Sequence, residues 1–287
     1  MFTTLISVTE LQQLQSSRAP LMVFDCSFDL MQPAIGRQQF EQEHIAGALH
    51  ADLDHNLSAP KGAANAASGG RHPLPAREHF AAWLRSIGFD SAMQAVVYDR
   101  QGTVYCGRLW WMLKWLGHAQ VAVLNGGWQA WQAAGGATES GAAAPAPAPS
   151  TFAPGEPLVR LVNVRDVEQS IGKNSQVVID ARAPARYRGE MEPIDPVAGH
   201  IPGALNRPFG SNLDERGQFK PAAVLKQEFE SLLGQRTSKS VVHQCGSGVS
   251  AVPNLLAMEI AGLHGSALFA GSWSEWCSDP QRPVARG

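Results

Sequence analysis

A cysteine followed by a glycine-rich turn is the strongest chemical feature of this sequence. Cys245 follows the segment Val-Val-His-Gln of residues 241–244, which predicts a strand end, and precedes the Gly-Ser-Gly segment 246–248. Glycine permits backbone conformations and close approaches that a Cβ would prevent, so successive amide N–H groups can converge on one anion. The largely apolar residues 249–263 predict a buried helix whose N-terminus would also favour negative charge. The pattern therefore predicts a reactive thiolate at Cys245.

Three other interpretations of this loop are available. A cysteine without context is most often a small buried hydrophobe. Residues 246–251 also match the G-x-G-x-x-A dinucleotide pattern, but residues 265–270 lack the acid expected about 20 positions later. A phosphatase loop needs an arginine where Ala251 stands, and Gln244 separates His243 from Cys245. The surrounding residues therefore favour the reactive thiol.

Composition narrows the class of partner. The 287-residue chain carries a net charge of −2 and has no cluster of Lys and Arg, so nucleic acid and acidic membranes are not expected partners. A small molecule is expected instead. The N-terminal residues 1–10 lack a basic region and a sustained apolar core, which predicts a cytoplasmic protein. Cys26, Cys106, Cys245 and Cys277 form no C-x-x-C pair, so we expect neither a metal site nor a disulfide framework.

The chain contains one pattern twice. Each copy has an apolar run ending in aspartate, a His-Ile-x-Gly-Ala-Leu segment, a Val-Val pair and a Gly-x-Trp segment followed by a second tryptophan. The paired segments are residues 21–25 and 177–180, 44–49 and 200–205, 96–97 and 241–242, and 126–131 and 271–276. Internal similarity of this kind indicates two copies of one fold.

The repeats predict a division of the chain into two domains. We expect a first domain over residues 1–135, an Ala/Pro-rich linker over 136–157 and a second domain over 158–287. The displacement of 145 positions between the Val-Val pairs matches Cys245 with Arg100. Because arginine cannot act as a sulfur nucleophile, the first domain is predicted to be catalytically silent.

Each half alternates short apolar runs with helical patterns. Phe80, Trp83, Leu84 and Ile87 recur at helical spacing before a glycine, and Leu225, Phe229 and Leu232 do the same in the second half. This alternation predicts an α/β fold in which each domain is a parallel sheet with helices on both faces. Ligands bind such sheets at the carboxyl ends of strands, where Cys245 is expected.

The duplicated α/β unit, the H-I-x-G-A element of each half and the Cys-Gly-Ser-Gly-Val-Ser-Ala loop resemble the two-domain rhodanese family of sulfurtransferases. The resemblance spans essentially the whole chain. Its 3-mercaptopyruvate branch carries C-G-S-G-V-T where thiosulfate sulfurtransferases carry C-R-K-G-V-T. This loop matches the 3-mercaptopyruvate pattern through Val249 and has Ser250 in place of the threonine. The resemblance implies transfer of sulfur from 3-mercaptopyruvate, through a Cys245 persulfide, to a thiol such as thioredoxin or to cyanide, with no cofactor. Thiosulfate transfer, and a persulfide carrier or regulatory module without turnover, stay open.

The resemblance also implies roles for particular residues. Arg186 would bind the anionic substrate. A second arginine of the family's E-P-x-P-R element is missing from residues 191–196, and Arg188 is the candidate to replace it. The residues expected to act in catalysis are Cys245, Ser247, Asp54 and His72, and the expected substrate-binding residues are Arg186, Arg188, Gly246, Gly248, Val249 and Ser250.

Overall fold

The computed structural model describes residues 1–17, 19–142, 148–173 and 175–287. The chain divides into two compact units. The first comprises residues 1–59, 75–158 and 213–219, and the second comprises residues 60–74, 159–212 and 220–287. The short segment 60–74, which falls within the first predicted domain by sequence, therefore belongs to the same unit as Cys245.

The predicted linker partly joins the first unit. Residues 143–147, within its alanine and proline run, lie outside the described residues. Beyond them, the Ser150 N–H donates to the carbonyl of Arg85, and the buried Phe152 ring packs edge-on against Phe89 with 5.2 Å between centroids. The last part of the Ala/Pro-rich stretch thus contributes to a core, while the domain boundaries themselves stay a prediction.

Within the described residues, the first unit holds a five-stranded parallel sheet with the spatial order β1-β6-β5-β2-β4, and a small antiparallel pair, β3 and β7. Strands buried on both faces need apolar side chains throughout, as the Ala-Val-Val run of β5 provides. The strands are β1 Leu5–Ile6, β2 Leu21–Asp25, β3 His44–Ile45, β4 Leu49–His50, β5 Gln94–Tyr98, β6 Val121–Leu124 and β7 Thr138–Glu139. The helices are α1 Val8–Ser17, α2 Ala34–Gln42, α3 Arg77–Ser86, α4 Cys106–Trp115 and α5 Gly127–Ala133.

Among its described residues, the second unit repeats this plan with a five-stranded parallel sheet in the order β10-β9-β11-β12-β8. Its strands are β8 Arg160–Val162, β9 Val177–Asp180, β10 Leu205–Asn206, β11 Val241–Gln244 and β12 Ala267–Phe269. Its α-helices are α6 Val164–Ser170, α7 Pro184–Arg188, α8 Ala222–Leu233, α9 Val252–Ile260 and α10 Ser272–Trp276, and short 3-10 turns span Phe209–Asn212 and Ser238–Ser240. The predicted pair of parallel α/β domains is confirmed.

The helix expected over residues 249–263 begins later than predicted. Helix α9 starts at Val252 with a proline in its first turn, and residues 245–251 form a loop. Pro253 is the reason, because it has no N–H to donate to the carbonyl of Val249, which accepts instead from the Val252 N–H in a tighter turn. The helices predicted around Phe80 and Phe229 are confirmed as α3 and α8.

The counterpart of Cys245 in the first unit is Asp99, so the match with Arg100 was wrong by one residue. Gln244 pairs with Asp180 and Tyr98 pairs with Asp25, each at the end of its strand. The carbonyls of Cys245 and Asp99 then accept equivalent N–H bonds, from Trp273 and Trp128. The strand pairing matches Val96 with Val242 and not with Val241, so the displacement in this strand is one residue larger than the one between the two Val-Val pairs.

The Asp99 carboxylate occupies the loop that follows it. It accepts four backbone N–H bonds of 2.8 to 3.0 Å, from Gln101, Thr103, Tyr105 and Cys106. Burial raises the pKa of Asp99, and these four hydrogen bonds oppose the rise. The loop amides of the first unit are thus bound to an internal anion, and the catalytic silence of this unit stays a prediction.

His243 gives the second unit a pH-dependent stability. Its imidazole is fully buried on β11, and burial lowers its pKa to about 3, with the nearby Arg207 adding to the effect. Between about pH 3 and its ordinary value of 6.5, the unfolded chain binds a proton that the folded chain does not. The free energy of unfolding should therefore fall as pH drops through this window, by on the order of a few kcal/mol in total.

Chemical denaturation at pH 7.5, 6.5, 5.5 and 4.5 measures this slope. We expect a flatter slope in His243→Leu, which has nothing to protonate at this buried position. His79→Leu changes an exposed histidine and is the matched control, which should keep the slope of the parent. A His243→Leu slope equal to that of the parent would remove His243 as the cause.

Candidate active site

Cys245 lies directly after β11, buried at the carboxyl end of the sheet. Three hydrogen bonds from the start of α10 fix the backbone around it. The Cys245 N–H donates to the Ser272 hydroxyl over 3.0 Å, and the carbonyls of Cys245 and Gly246 accept from the N–H groups of Trp273 and Ser274 over 3.1 and 2.9 Å. The sulfur is therefore presented from a rigid backbone.

The two glycines of the loop are needed for different reasons. Gly248 has a φ of +74°, and a Cβ there would lie 2.1 Å from the carbonyl oxygen of Ala270. A Cβ on Gly246 would lie 3.1 Å from Nη2 of Arg71 and 3.6 Å from Nη1 of Arg186. Gly248 thus shapes the loop, whereas Gly246 leaves space for two guanidinium groups. Val249 is buried after them, and Ser250 is partly exposed at the end of the loop.

The other three cysteines are poor sources of thiolate. Burial raises the pKa of Cys26 and of Cys106 well above the ordinary value, and the carboxylate of Asp99 adds to both shifts. Burial also raises the pKa of Cys277. All four cysteines lie within the described ranges and none forms a disulfide. The described residues contain no cluster of side chains that could hold a metal ion.

Ser247 and His72 are in contact within the second unit, although by sequence His72 falls in the first predicted domain. Nδ1 of His72 lies 2.8 Å from the hydroxyl oxygen of Ser247, and both side chains are buried. The hydrogen bond can run in either direction, depending on the tautomer of the imidazole. A hydroxyl and an imidazole in contact, two residues from Cys245 along the loop, can hold and move a proton beside the sulfur.

Asp54, the predicted acid, belongs to the first unit. Its side chain is exposed, and its backbone N–H donates to the Asp52 carboxylate over 2.9 Å. Partial burial raises the pKa of Asp54, and the charge of Asp52 raises it further. Its part in catalysis stays a prediction.

Arg186 lies on α7 within a network of charged groups. Its Nε and Nη2 donate to Glu192 over 3.1 and 2.6 Å, and Nη2 also lies 3.3 Å from Asp195. The second carboxylate oxygen of Asp195 accepts from Nη1 of Arg71 over 2.6 Å. Although burial opposes ionisation of Glu192, the hydrogen bonds from Arg186 and from backbone amides hold its pKa below the usual range. Both guanidinium groups are thus oriented by carboxylates.

Arg182 is a functional candidate that the sequence did not single out. Its buried guanidinium donates to both oxygens of Asp180, at 2.6 to 3.1 Å, and lies 4.7 Å from the centre of the Trp273 ring. Although burial opposes its charge, Asp180 keeps the pKa of Arg182 above its usual value, and negative charge on Cys245 contributes in the same direction. A buried cation is therefore within electrostatic reach of the sulfur.

Arg188 does not join this network. Its guanidinium pairs with Glu190 over 2.6 and 2.9 Å, and 45% of the side chain is exposed. The second arginine close to the loop is Arg71 instead. A signal for it was present in the sequence, since Arg71 directly precedes His72.

Comparisons with known proteins agree with this geometry. Residues 7–134 and 163–279 each match the family model of the rhodanese-like domain. A Pseudomonas aeruginosa protein named "Probable 3-mercaptopyruvate sulfurtransferase" is 43% identical over 94% of this chain and 94% of its own length. A Mycobacterium tuberculosis protein named "Putative thiosulfate sulfurtransferase" is 37% identical over 99% of this chain and 97% of its own. The solved 3-mercaptopyruvate sulfurtransferase of Leishmania major superposes with a TM-score of 0.84 and 30% identity, covering 98% of this chain and 75% of that one.

Proposed function

Because this chain belongs to the rhodanese-like family, we propose that it is a sulfurtransferase that takes sulfur from 3-mercaptopyruvate through a persulfide on Cys245. The observation that carries the proposal is the Cys245 loop, whose side chains at 246–248 are uncharged and whose nearest cations, Arg71 and Arg186, meet it at Gly246. A site of this kind suits a donor whose negative charge lies some bonds away from the transferred sulfur. 3-Mercaptopyruvate has such a separation.

The reaction proceeds in two steps. The Cys245 thiolate attacks the sulfur of 3-mercaptopyruvate, so that an S–S bond forms and the C–S bond breaks. The electron pair of that bond leaves on carbon as the enolate of pyruvate, which takes a proton to give pyruvate. A thiolate acceptor then attacks the outer sulfur of the persulfide and returns Cys245 as a thiolate.

The residues around the sulfur take separate roles in this proposal. Ser247 and His72, 2.8 Å apart, supply the proton that the enolate takes up on carbon. Asp54 is the acid that the family resemblance adds to this pair. Arg182 stabilises negative charge on Cys245 from its buried position. Arg186 binds the donor's carboxylate, as a planar guanidinium does well.

The acceptor that we propose is a thiol such as that of reduced thioredoxin, with cyanide as a substitute in an assay. We also propose a cytoplasmic setting, because the four cysteines form no C-x-x-C pair and suggest no disulfide framework. No helix among the described residues is long and apolar enough to cross a membrane.

A comparison of kcat/KM for 3-mercaptopyruvate and thiosulfate, with cyanide as the common acceptor, tests the donor. We expect 3-mercaptopyruvate to be preferred by about 10-fold or more, on the scale of one charge-assisted hydrogen bond. A preference for thiosulfate would contradict the donor assignment and support the second candidate, to which one relative's name points. Loading of one sulfur with no turnover on any acceptor would support a persulfide carrier.

A further inference from the structure

Arg71 faces the loop that carries the reactive cysteine. Its Nη2 lies 3.1 Å from the position that a Cβ on Gly246 would take, and Nη1 of Arg186 lies 3.6 Å from the same position. Both arginines and the loop belong to the second unit. Two guanidinium groups therefore converge on one point, one residue after Cys245.

Ser274 fixes Arg71 against this loop. The Arg71 N–H donates to the Ser274 hydroxyl over 3.0 Å, and the Ser274 N–H donates to the carbonyl of Gly246 over 2.9 Å. One residue of α10 thus holds both the segment with Arg71 and the backbone after Cys245. Arg71 is positioned by the same contacts that position the loop.

Asp195 already shows how a carboxylate fits between these two arginines. One of its oxygens accepts from Nη1 of Arg71 over 2.6 Å, and the other lies 3.3 Å from Nη2 of Arg186. Nη2 of Arg71 and Nη1 of Arg186, which have no hydrogen bond to Asp195, face Gly246, and Nη2 of Arg186 lies 3.7 Å from the same Cβ position. The pair therefore presents donors to the loop at Gly246, the residue after Cys245.

Arg71 has N–H donors that are free to bind a ligand, and its side chain is exposed to solvent in part. A guanidinium has five N–H donors, and the buried Nε of Arg71 has no partner among the described residues. The side chains of Arg71 and Arg186 are 23% and 17% exposed, so small molecules in solution can reach them. Arg71 and Asp195 also line a cleft of about 650 Å³.

We propose that Arg71 binds the carboxylate of the sulfur donor together with Arg186, through the two nitrogens that face Gly246. This inference rests on the proposed function, because it concerns an α-keto acid donor whose sulfur reaches Cys245. Bound in this way, the carboxylate sets the distance between the donor's sulfur and the cysteine. Arg71 is then a specificity-determining residue, and the charge of Asp195 keeps it oriented.

The test removes the carboxylate from the donor and the guanidinium from the protein, separately and together. Mercaptoacetone keeps the thiol and the ketone of 3-mercaptopyruvate and has a methyl group in place of the carboxylate. We expect Arg71→Met to lower kcat/KM for 3-mercaptopyruvate by about 10- to 100-fold, chiefly through KM. For mercaptoacetone, kcat/KM should change by less than about threefold, because this compound has no carboxylate for the Arg71 guanidinium to bind. Arg165→Met, at an exposed arginine of α6, is the matched control and should leave both donors unchanged.

The outcomes separate this inference from the proposed function. Equal losses on the two donors would show that Arg71 only holds Asp195 in place, which overturns the inference and leaves the function intact. A parent protein that transfers no sulfur from 3-mercaptopyruvate would overturn the function itself. If Arg71→Met does not fold, Arg71→Lys carries the test, because it keeps the charge beside Asp195 and loses the fork of donors. The fall in kcat/KM of Arg71→Lys should again be confined to 3-mercaptopyruvate.

Discussion

Cys245→Ser should lose sulfur transfer by about 10⁴-fold or more, as expected when a covalent nucleophile is removed. Cys26→Ser, Cys106→Ser and Cys277→Ser should keep most of the parent's activity, because burial raises the pKa of each of these thiols. Turnover of 3-mercaptopyruvate with cyanide measures both effects. The three other cysteines serve as controls for the general cost of replacing a buried thiol.

The same variants locate the transferred sulfur. Intact mass after incubation with donor and no acceptor should rise by about one sulfur atom, roughly 32 Da, in the parent and in the three control variants. Cys245→Ser should show no such increase. A persulfide on Cys106 in peptide mapping would falsify the assignment.

Much of the fold followed from local patterns in the sequence. Apolar runs ending in Asp25 and Asp180 predicted strands, and the spacing around Phe80 predicted α3. These features depend on residues that are close in sequence, so their periodicity is sufficient. The position of Cys245 at a strand end followed in the same way, because the strand and the turn are adjacent along the chain.

The parts that the sequence missed depend on contacts between distant residues. Arg71 reaches Asp195, 124 positions away, and no local pattern encodes that ion pair. Its segment carries no regular element in the structure, so periodicity could not place it in either unit. The match of Cys245 with Arg100 failed for a different reason. Tyr98 pairs with Asp25 and Gln244 pairs with Asp180, so the residues that follow, Asp99 and Cys245, correspond. These strand pairs are visible only in the sheets.

The contact between Ser247 and His72 carries the second large prediction. Ser247→Ala and His72→Gln should each lower kcat for 3-mercaptopyruvate by about 10²- to 10⁴-fold, the usual range for general acid-base groups. The enolate that leaves the sulfur must take a proton on carbon to become pyruvate, and this buried pair can deliver that proton. Thiosulfate releases sulfite, which needs no proton on carbon, so its turnover should fall much less. His79→Gln, at an exposed histidine of α3, is the matched control for His72→Gln.

The double variant distinguishes a shared role from two separate ones. If Ser247 and His72 act as one unit, Ser247→Ala with His72→Gln should lose about as much as the worse single variant, because the second change removes a group that has already lost its partner. Additive losses would mean that the two side chains act independently in spite of the 2.8 Å contact. Equal losses on 3-mercaptopyruvate and thiosulfate would assign the pair to holding the loop after Cys245. Intact mass after exposure to each donor without acceptor measures how fast sulfur is loaded onto Cys245. A defect in proton delivery should slow loading from 3-mercaptopyruvate alone. A distorted loop should slow loading from both 3-mercaptopyruvate and thiosulfate.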